Sequence, residues 1–329
     1  MPLIKKSTYR ARGPFRYGHI NTIYPALFRK VEGVRFERER VETRDGDFLD
    51  FDWSAAGSRR LIILLHGLEG SAGRPYIRGM ARYFNQRGWD ALGFNFRGCS
   101  GEPNRKLRSY HVGETADLKW AISFILDKYD YESIVLAGFS LGGNVVLKYL
   151  GETGAEAPSP VRAGIAFSVP CDVESANREI DKWQNWLYRY RFIKSLNEKV
   201  REKALRYPEE LKLPREMPKD FRQFDDRFTA PIHGFRDADD YWTRNSSLQF
   251  LPGIRRPALL VSARDDSFLS PSCYPCRLAE EHPDLYLEIP RWGGHVGFVS
   301  SGPGRAYWSE QRAFQFVEEK VLNLRADRH

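Results

Sequence analysis

Ser140 lies in a Gly-x-Ser-x-Gly frame, inside Leu-Ala-Gly-Phe-Ser-Leu-Gly-Gly at 136–143, directly after an apolar run and directly before a helical one. A strand that turns abruptly into a helix lifts the side chain at the bend out of the sheet. Gly138 and Gly142, two residues to either side, let strand and helix approach closely. Ser140 then sits at the N-terminus of a helix opening at Leu141, where free N–H groups and the helix dipole favour a developing oxyanion. The chemistry implied is nucleophilic attack. The bare frame also occurs in ordinary strand-to-helix turns, and the flanking strand (133–139) and helix (141–150) are what favour the catalytic reading.

A serine hydroxyl is a poor nucleophile unless a base takes its proton, and the base needs an orienting carboxylate. In a sheet of this kind these groups come from loops at the C-terminal ends of strands, in the order serine, acid, histidine. Of seven histidines, His19 lies in the opening segment, His66 precedes Gly67 and His111 opens a helix. His233 falls in an irregular middle stretch, His282 ends a helix and His329 is terminal. His295 is left, in Pro-Arg-Trp-Gly-Gly-His-Val-Gly-Phe just beyond the last expected strand. The acid should follow the preceding strand, where Ser-Ala-Arg-Asp-Asp-Ser-Phe at 262–268 offers Asp265 and Asp266. The spacing from the strand end favours Asp266, with Asp265 the alternative; otherwise both would simply cap the helix that follows. Acyl transfer also needs two backbone donors for its oxyanion. Leu141 supplies one, and Leu68, in His-Gly-Leu-Glu-Gly at 66–70, is the candidate for the other. His66 reads as a residue that organises this loop.

The elements that must position these groups follow from periodicity. Segments 34–41 and 48–53 flank Thr-Arg-Asp-Gly-Asp, a hairpin signal. Residues 61–65 form a continuous apolar run, as in a strand buried on both faces. Helix 76–87, strand 91–96, helix 114–129, the elbow and strand 163–169 then alternate. The rhythm breaks over about 171–250 and resumes with strand 258–262, helix 274–281, strand 285–289 and helix 305–321. Such alternation predicts an α/β fold: a mostly parallel sheet of about eight strands, helices on both faces, and a helical cap insertion at 171–250 within a single domain spanning 1–329. Trp183, Trp186 and Tyr190 stand at helical spacing in that insertion and are candidates to line a substrate pocket, the alternative being packing on the body.

Composition narrows the function. Apolar residues at 42% and charged residues at 29% are ordinary for a globular protein. No apolar run approaches membrane-span length, and the opening residues lack the apolar stretch of a secretory signal, so a cytoplasmic location without stable membrane insertion is expected. The net charge of +8 comes from basic residues spread along the chain with no arginine-rich tract, which argues against nucleic acid. It suits an anionic substrate or peripheral contact with an acidic membrane face. Four cysteines (Cys99, Cys171, Cys273, Cys276) are too few for a disulfide scaffold. Cys273 and Cys276 have redox-pair spacing, but no second pair completes a zinc site, and packing thiols are the expectation. The acids of 225–241 lack histidine partners at ligand spacing and are expected to hold the insertion onto the sheet; no metal site is read.

Together these pieces resemble the α/β-hydrolase fold. His-Gly-Leu-Glu-Gly-Ser at 66–71, Asn-Phe-Arg-Gly-Cys-Ser-Gly at 95–101 and Gly-Phe-Ser-Leu-Gly-Gly-Asn at 138–144 look like the YheT-like branch of that superfamily. So do Gly-His-Ile-Asn-Thr-Ile-Tyr-Pro at 18–25, Phe-Asp-Asp-Arg-Phe-Thr-Ala-Pro-Ile-His-Gly-Phe at 224–235 and Gly-Gly-His-Val-Gly-Phe at 293–298. The resemblance implies a carboxylesterase or acylglycerol lipase acting on a small ester or lipid-like substrate, with Ser140, Asp266 and His295 as triad and no cofactor. The acid motif departs from the family's in having Ser267 where proline often follows. Thioesterase, amidase or acyltransferase chemistry, or a non-catalytic binding role, would use the same scaffold.

Overall fold

The computed structural model describes residues 3–300 and 305–322. Nine strands form one sheet: β1 (Leu3–Ile4), β2 (Glu37–Glu42), β3 (Phe48–Ser54), β4 (Arg60–Leu65), β5 (Asp90–Asn95), β6 (Ser133–Phe139), β7 (Val161–Phe167), β8 (Ala258–Val261) and β9 (Leu285–Glu288). Their spatial order is β1-β9-β8-β7-β6-β4-β5-β3-β2, parallel from β1 through β5, with β3 and β2 antiparallel at one edge. The strand beyond the expected eight is β1, a two-residue edge element beside β9, too short to carry any periodicity. The β2–β3 hairpin turns where Asp-Gly predicts it, with Gly46 at φ 77°, a conformation that suits glycine.

The run on β4 is buried throughout: Leu61, Ile63 and Leu65 pack into the core on one face of the sheet, Ile62 and Leu64 into the core on the other. Helices α1 (Gly18–Phe28), α2 (Pro75–Asn85), α3 (Thr115–Lys128) and α4 (Leu141–Thr153) precede β7. Between β7 and β8 come α5 (Val173–Asp181), α6 (Trp186–Arg206), α7 (Phe221–Phe224), α8 (Ala230–His233) and α9 (Ala238–Asn245), and α10 (Cys276–Glu281) and α11 (Trp308–Lys320) follow. The segment between β7 and β8 has a small core of its own, including Ile193, Val200, Phe221 and Phe228. Its acids bind within it: Asp225 accepts from Trp242 Nε1 at 2.7 Å and Asp226 from the Ala238 amide at 2.7 Å. The expectation that they clamp the segment to the sheet is therefore corrected, because their donors lie in the segment itself. One link to the body is made by Asn144 on α4, which donates to the carbonyls of Val112 and Asn245 and accepts from the Ser247 amide. Among the described residues no helix is long and apolar enough to cross a membrane.

Candidate active site

Because β4, β6, β8 and β9 run parallel, the loops after them emerge at one rim of the sheet. Ser140 follows β6 directly, at φ 53° and ψ −119°, a strained backbone for a side chain with a Cβ. The two flanking glycines are sterically required. A Cβ on Gly138 would overlap the Gly142 backbone, and one on Gly142 would overlap the carbonyl oxygens of Leu65 and His66.

His295 Nε2 lies 2.9 Å from Ser140 Oγ, and His295 Nδ1 lies 2.9 Å from Asp266 Oδ2. A carboxylate only accepts, so the tautomer that satisfies both contacts carries its proton on Nδ1 and leaves Nε2 to accept from the serine hydroxyl. Asp266 is buried, and its other oxygen accepts from the Phe268 amide at 3.0 Å. The Phe268 ring stacks on the imidazole, with centroids 4.3 Å apart. Asp265 does something else: its Oδ1 accepts from the Gly294 amide at 2.9 Å, at the turn before His295, and burial pushes its pKa up to about 6. Of the two adjacent carboxylates, Asp266 touches the imidazole and Asp265 holds the loop that carries it.

That loop is gripped from three directions. The His295 amide donates to Thr22 Oγ1 at 2.8 Å, the Val296 amide to Ser168 Oγ at 2.9 Å and the Val299 amide to Asn21 Oδ1 at 3.0 Å. Residues 18–25 are thus a clasp for the histidine loop. The non-glycine residues at positive φ include Glu69, Ser140, Ser168, Val296 and Phe298, all on rim loops. Local strain is concentrated where these side chains converge.

The backbone donors expected at Leu68 and Leu141 border the same cavity as Ser140. As the first residue of α4, Leu141 has no intrahelical acceptor for its N–H. A Cβ on Gly67 would come within 3.2 Å of the Ser140 Cβ, so the 66–70 loop lies directly against the serine. His66 is buried, which lowers its pKa to about 4; its Nδ1 lies 2.8 Å from the Gly67 carbonyl, and its Nε2 accepts from the Phe96 amide. This neutral ring organises the loop and does not reach Ser140.

Glu69 was not singled out in the sequence. At φ 53° it is next to Leu68, and its carboxylate accepts from Tyr110 Oη (2.7 Å), Ser195 Oγ (2.5 Å) and Lys199 Nζ (2.9 Å). Burial alone would raise its pKa, but Lys199 and the hydroxyl donors outweigh that and hold it below the usual carboxylate value. Glu69 therefore fastens the 66–70 loop to α6. Its presence in the 66–71 block without an obvious role was the available signal, as it was for Thr22 in the 18–25 block.

The family model described as the alpha/beta hydrolase fold matches residues 60–301. The chain belongs to the α/β-hydrolase family. It is 34% identical over 288 residues to the YheT protein of Escherichia coli (strain K12), covering 85% of this chain and 84% of the relative, which places it in the YheT-like branch. It is 31% identical over 300 residues to phospholipase ABHD3 of Mus musculus, covering 88% of this chain and 72% of that one. Among solved structures, the Pyrococcus furiosus esterase Pf2001 superposes with a TM-score of 0.59 at 19% identity over 89% of this chain and 97% of that one, a likeness of fold.

Two cavities of this hydrolase meet at Ser140, sharing Leu68, Glu69, Phe192 and Phe268. One, of about 150 Å³, runs under the segment between β7 and β8 against side chains such as Val173, Leu196, Val200, Phe221 and Phe228. The other, of about 300 Å³, opens past α1 and carries Arg74, Arg191 and Tyr188 on its wall. Neither is lined by Trp183, Trp186 or Tyr190, which are 82%, 58% and 59% exposed. The pocket reading of these three is corrected: α6 is apolar on more than one face, and the face turned inward carries Tyr188, Phe192 and Leu196 instead. His111 and His233 meet edge to face with centroids 4.8 Å apart, and burial lowers both to about 3. His329 lies outside the described residues. Cys273 is buried and Cys276 exposed, and both are free thiols; burial pushes the Cys273 thiol up, away from redox reactivity.

Proposed function

We propose that this chain is a serine carboxylic ester hydrolase working through an acyl-enzyme, with Ser140 as nucleophile, His295 as general base and Asp266 as its orienting acid. The observation that carries the reading is the continuous Asp266–His295–Ser140 contact chain, 2.9 Å at each step, on a strained elbow. His295 Nε2 accepts the Ser140 proton as Oγ bonds to the ester carbonyl carbon, and the imidazolium is held by Asp266. The carbonyl oxygen becomes an oxyanion facing the amides of Leu68 and Leu141. When the C–O bond breaks, His295 returns the proton to the departing alcohol. Water, deprotonated by the same nitrogen, then attacks the acyl-enzyme and releases the acid and Ser140.

The narrower cavity, mostly apolar although Glu69, Lys199, Lys203 and Asp225 also border it, suits the acyl chain, and the wider one suits the alcohol portion. Residues 171–250 would act as a cap within the single hydrolase domain, because α5, α6 and α7 roof the acyl side. Relatives named as a phospholipase and a structural neighbour named as an esterase agree with ester chemistry. A fluorophosphonate probe should label the wild type and leave Ser140→Ala unlabelled. Catalytic efficiency on p-nitrophenyl esters should persist from acetate to octanoate. An unlabelled wild type would sink the hydrolase reading, and efficiency collapsing beyond acetate would remove the acyl-cavity assignment.

A further inference from the structure

Apart from Leu205 and Leu213, the exposed large apolar side chains among the described residues fall in two clusters, each on a helix that lines the wider cavity. Along α1 and its preceding residue, Tyr17, Ile20, Tyr24, Leu27 and Phe28 form a stripe at helical spacing, with Leu27 and Phe28 63% and 65% exposed. Trp183, in the turn before α6, and Trp186, Leu187 and Tyr190 at its start form a second stripe. The two helices are held side by side by the His19 and Tyr188 rings, stacked 5.7 Å apart and hydrogen-bonded at 3.1 Å. Leu27 from the first and Arg191 from the second line the same cavity, so the stripes flank its opening.

Lys182 and Arg189 pair with Glu179 and Asp181, and the charge left unpaired around the stripes is positive. The first 31 residues contain seven lysines and arginines and no acid, and residues 182–197 contain four and no acid. Arg16, Lys30, Arg191 and Lys194 form no ion pair among the described residues. Tryptophan, tyrosine and aliphatic side chains mixed with unpaired cations on convex helix faces make the composition of a surface that sits in the headgroup region of a bilayer. A second copy of this chain would bring like charges together, against its +8 net charge.

We infer that α1 and the start of α6 form a docking face for an anionic lipid bilayer, placing the opening of the Ser140 cavity against the membrane. The face is argued from exposed side chains alone; its use in delivering an ester rests on the function proposed above. Apolar side chains enter the headgroup layer while Arg16, Lys30, Arg191 and Lys194 meet lipid phosphates, and attraction per cation falls with salt.

Co-sedimentation of the full chain with phosphatidylcholine vesicles, with and without phosphatidylglycerol, tests this. Binding should require phosphatidylglycerol and weaken with salt. Phe28→Ser with Leu187→Ser should weaken it about tenfold or more. Arg16→Glu with Lys194→Glu should weaken it at least about fivefold per charge removed. Both pairs should turn over a soluble p-nitrophenyl ester within about twofold of wild type, which also reports correct folding. Absence of binding, or binding indifferent to the apolar pair, overturns the inference. So does a wild-type dimer that the apolar pair converts to monomer, since the face would then join two copies. Ser140→Ala should bind vesicles normally with turnover abolished. If it binds and still turns over ester, the catalytic reading fails and the docking face stands.

Discussion

The rim of the sheet and the segment between β7 and β8 reach Ser140 from opposite sides, and they are built on different rules. At the rim, residue identity is dictated by backbone geometry: Gly138 and Gly142 where a Cβ would collide, Ser140 on a strained bend, Asp266 one residue past an aspartate with a different task. On α6 of the inserted segment, away from Ser195 and Lys199, identity is dictated mainly by which side of the helix turns inward. Either side of α6 is apolar enough to do so. A substitution at the rim should therefore act on chemistry, and one in the segment on binding or on nothing.

On the proposed mechanism the largest effect belongs to Ser140. Ser140→Ala should lower kcat on a short p-nitrophenyl ester by about 10⁴-fold or more while the melting temperature stays close to wild type. The adjacent carboxylates sharpen the contrast within the rim. Asp266→Asn should cost about 10⁴-fold in kcat, because it favours the wrong imidazole tautomer, whereas Asp265→Asn should stay within about threefold. Reversed outcomes would exchange their roles. Asp265 also has a pH signature. Its folded pKa of about 6 lies above the ordinary 3.8, so the folded protein holds that proton more tightly than the unfolded chain. Wild-type stability should fall as pH rises from about 4 to about 6 on this account and then level off. Thermal melts of Asp265→Asn should converge with wild type at the acid end and exceed it at neutral pH.

Glu69 stands on the boundary between the two regions. Glu69→Gln should lower kcat about tenfold with KM within about twofold, because the loosened Leu68 amide acts on the transition state more than on the bound ester. It should also cost about 2 kcal/mol of stability through the weakened bonds to Lys199 and Ser195, read from denaturant melts. The smallest effects lie in the segment. Phe192→Ala, between the two cavities, should raise KM severalfold, and Trp183→Ala should leave soluble-ester kinetics within about twofold. Parity between these last two would erase the distinction between the inner face of α6 and the exposed stripe that leads into it.

The same division governs what could be read from the chain. The parallel sheet was legible because β4 through β9 are apolar runs between amphipathic helices, and the elbow because its glycines bracket a serine. His295 and the Asp265–Asp266 pair were found by their order after strands. Trp183, Trp186 and Tyr190 were misplaced because helical spacing identifies a face without saying which way it points. β1 went unseen because two residues have no period. Glu69, Thr22 and Ser168 escaped because each acts by a contact across long sequence separation, which local pattern does not encode.

On the proposed mechanism, the clasp on the histidine loop also fixes when the protein becomes reactive. Ser140 and its elbow leave the ribosome early, yet the base arrives only near residue 295, and it is seated by Asn21 and Thr22, made long before. A nascent chain thus carries an inert hydroxyl until residue 295 has been made, and the two parts of the machinery meet only when everything between them has been translated.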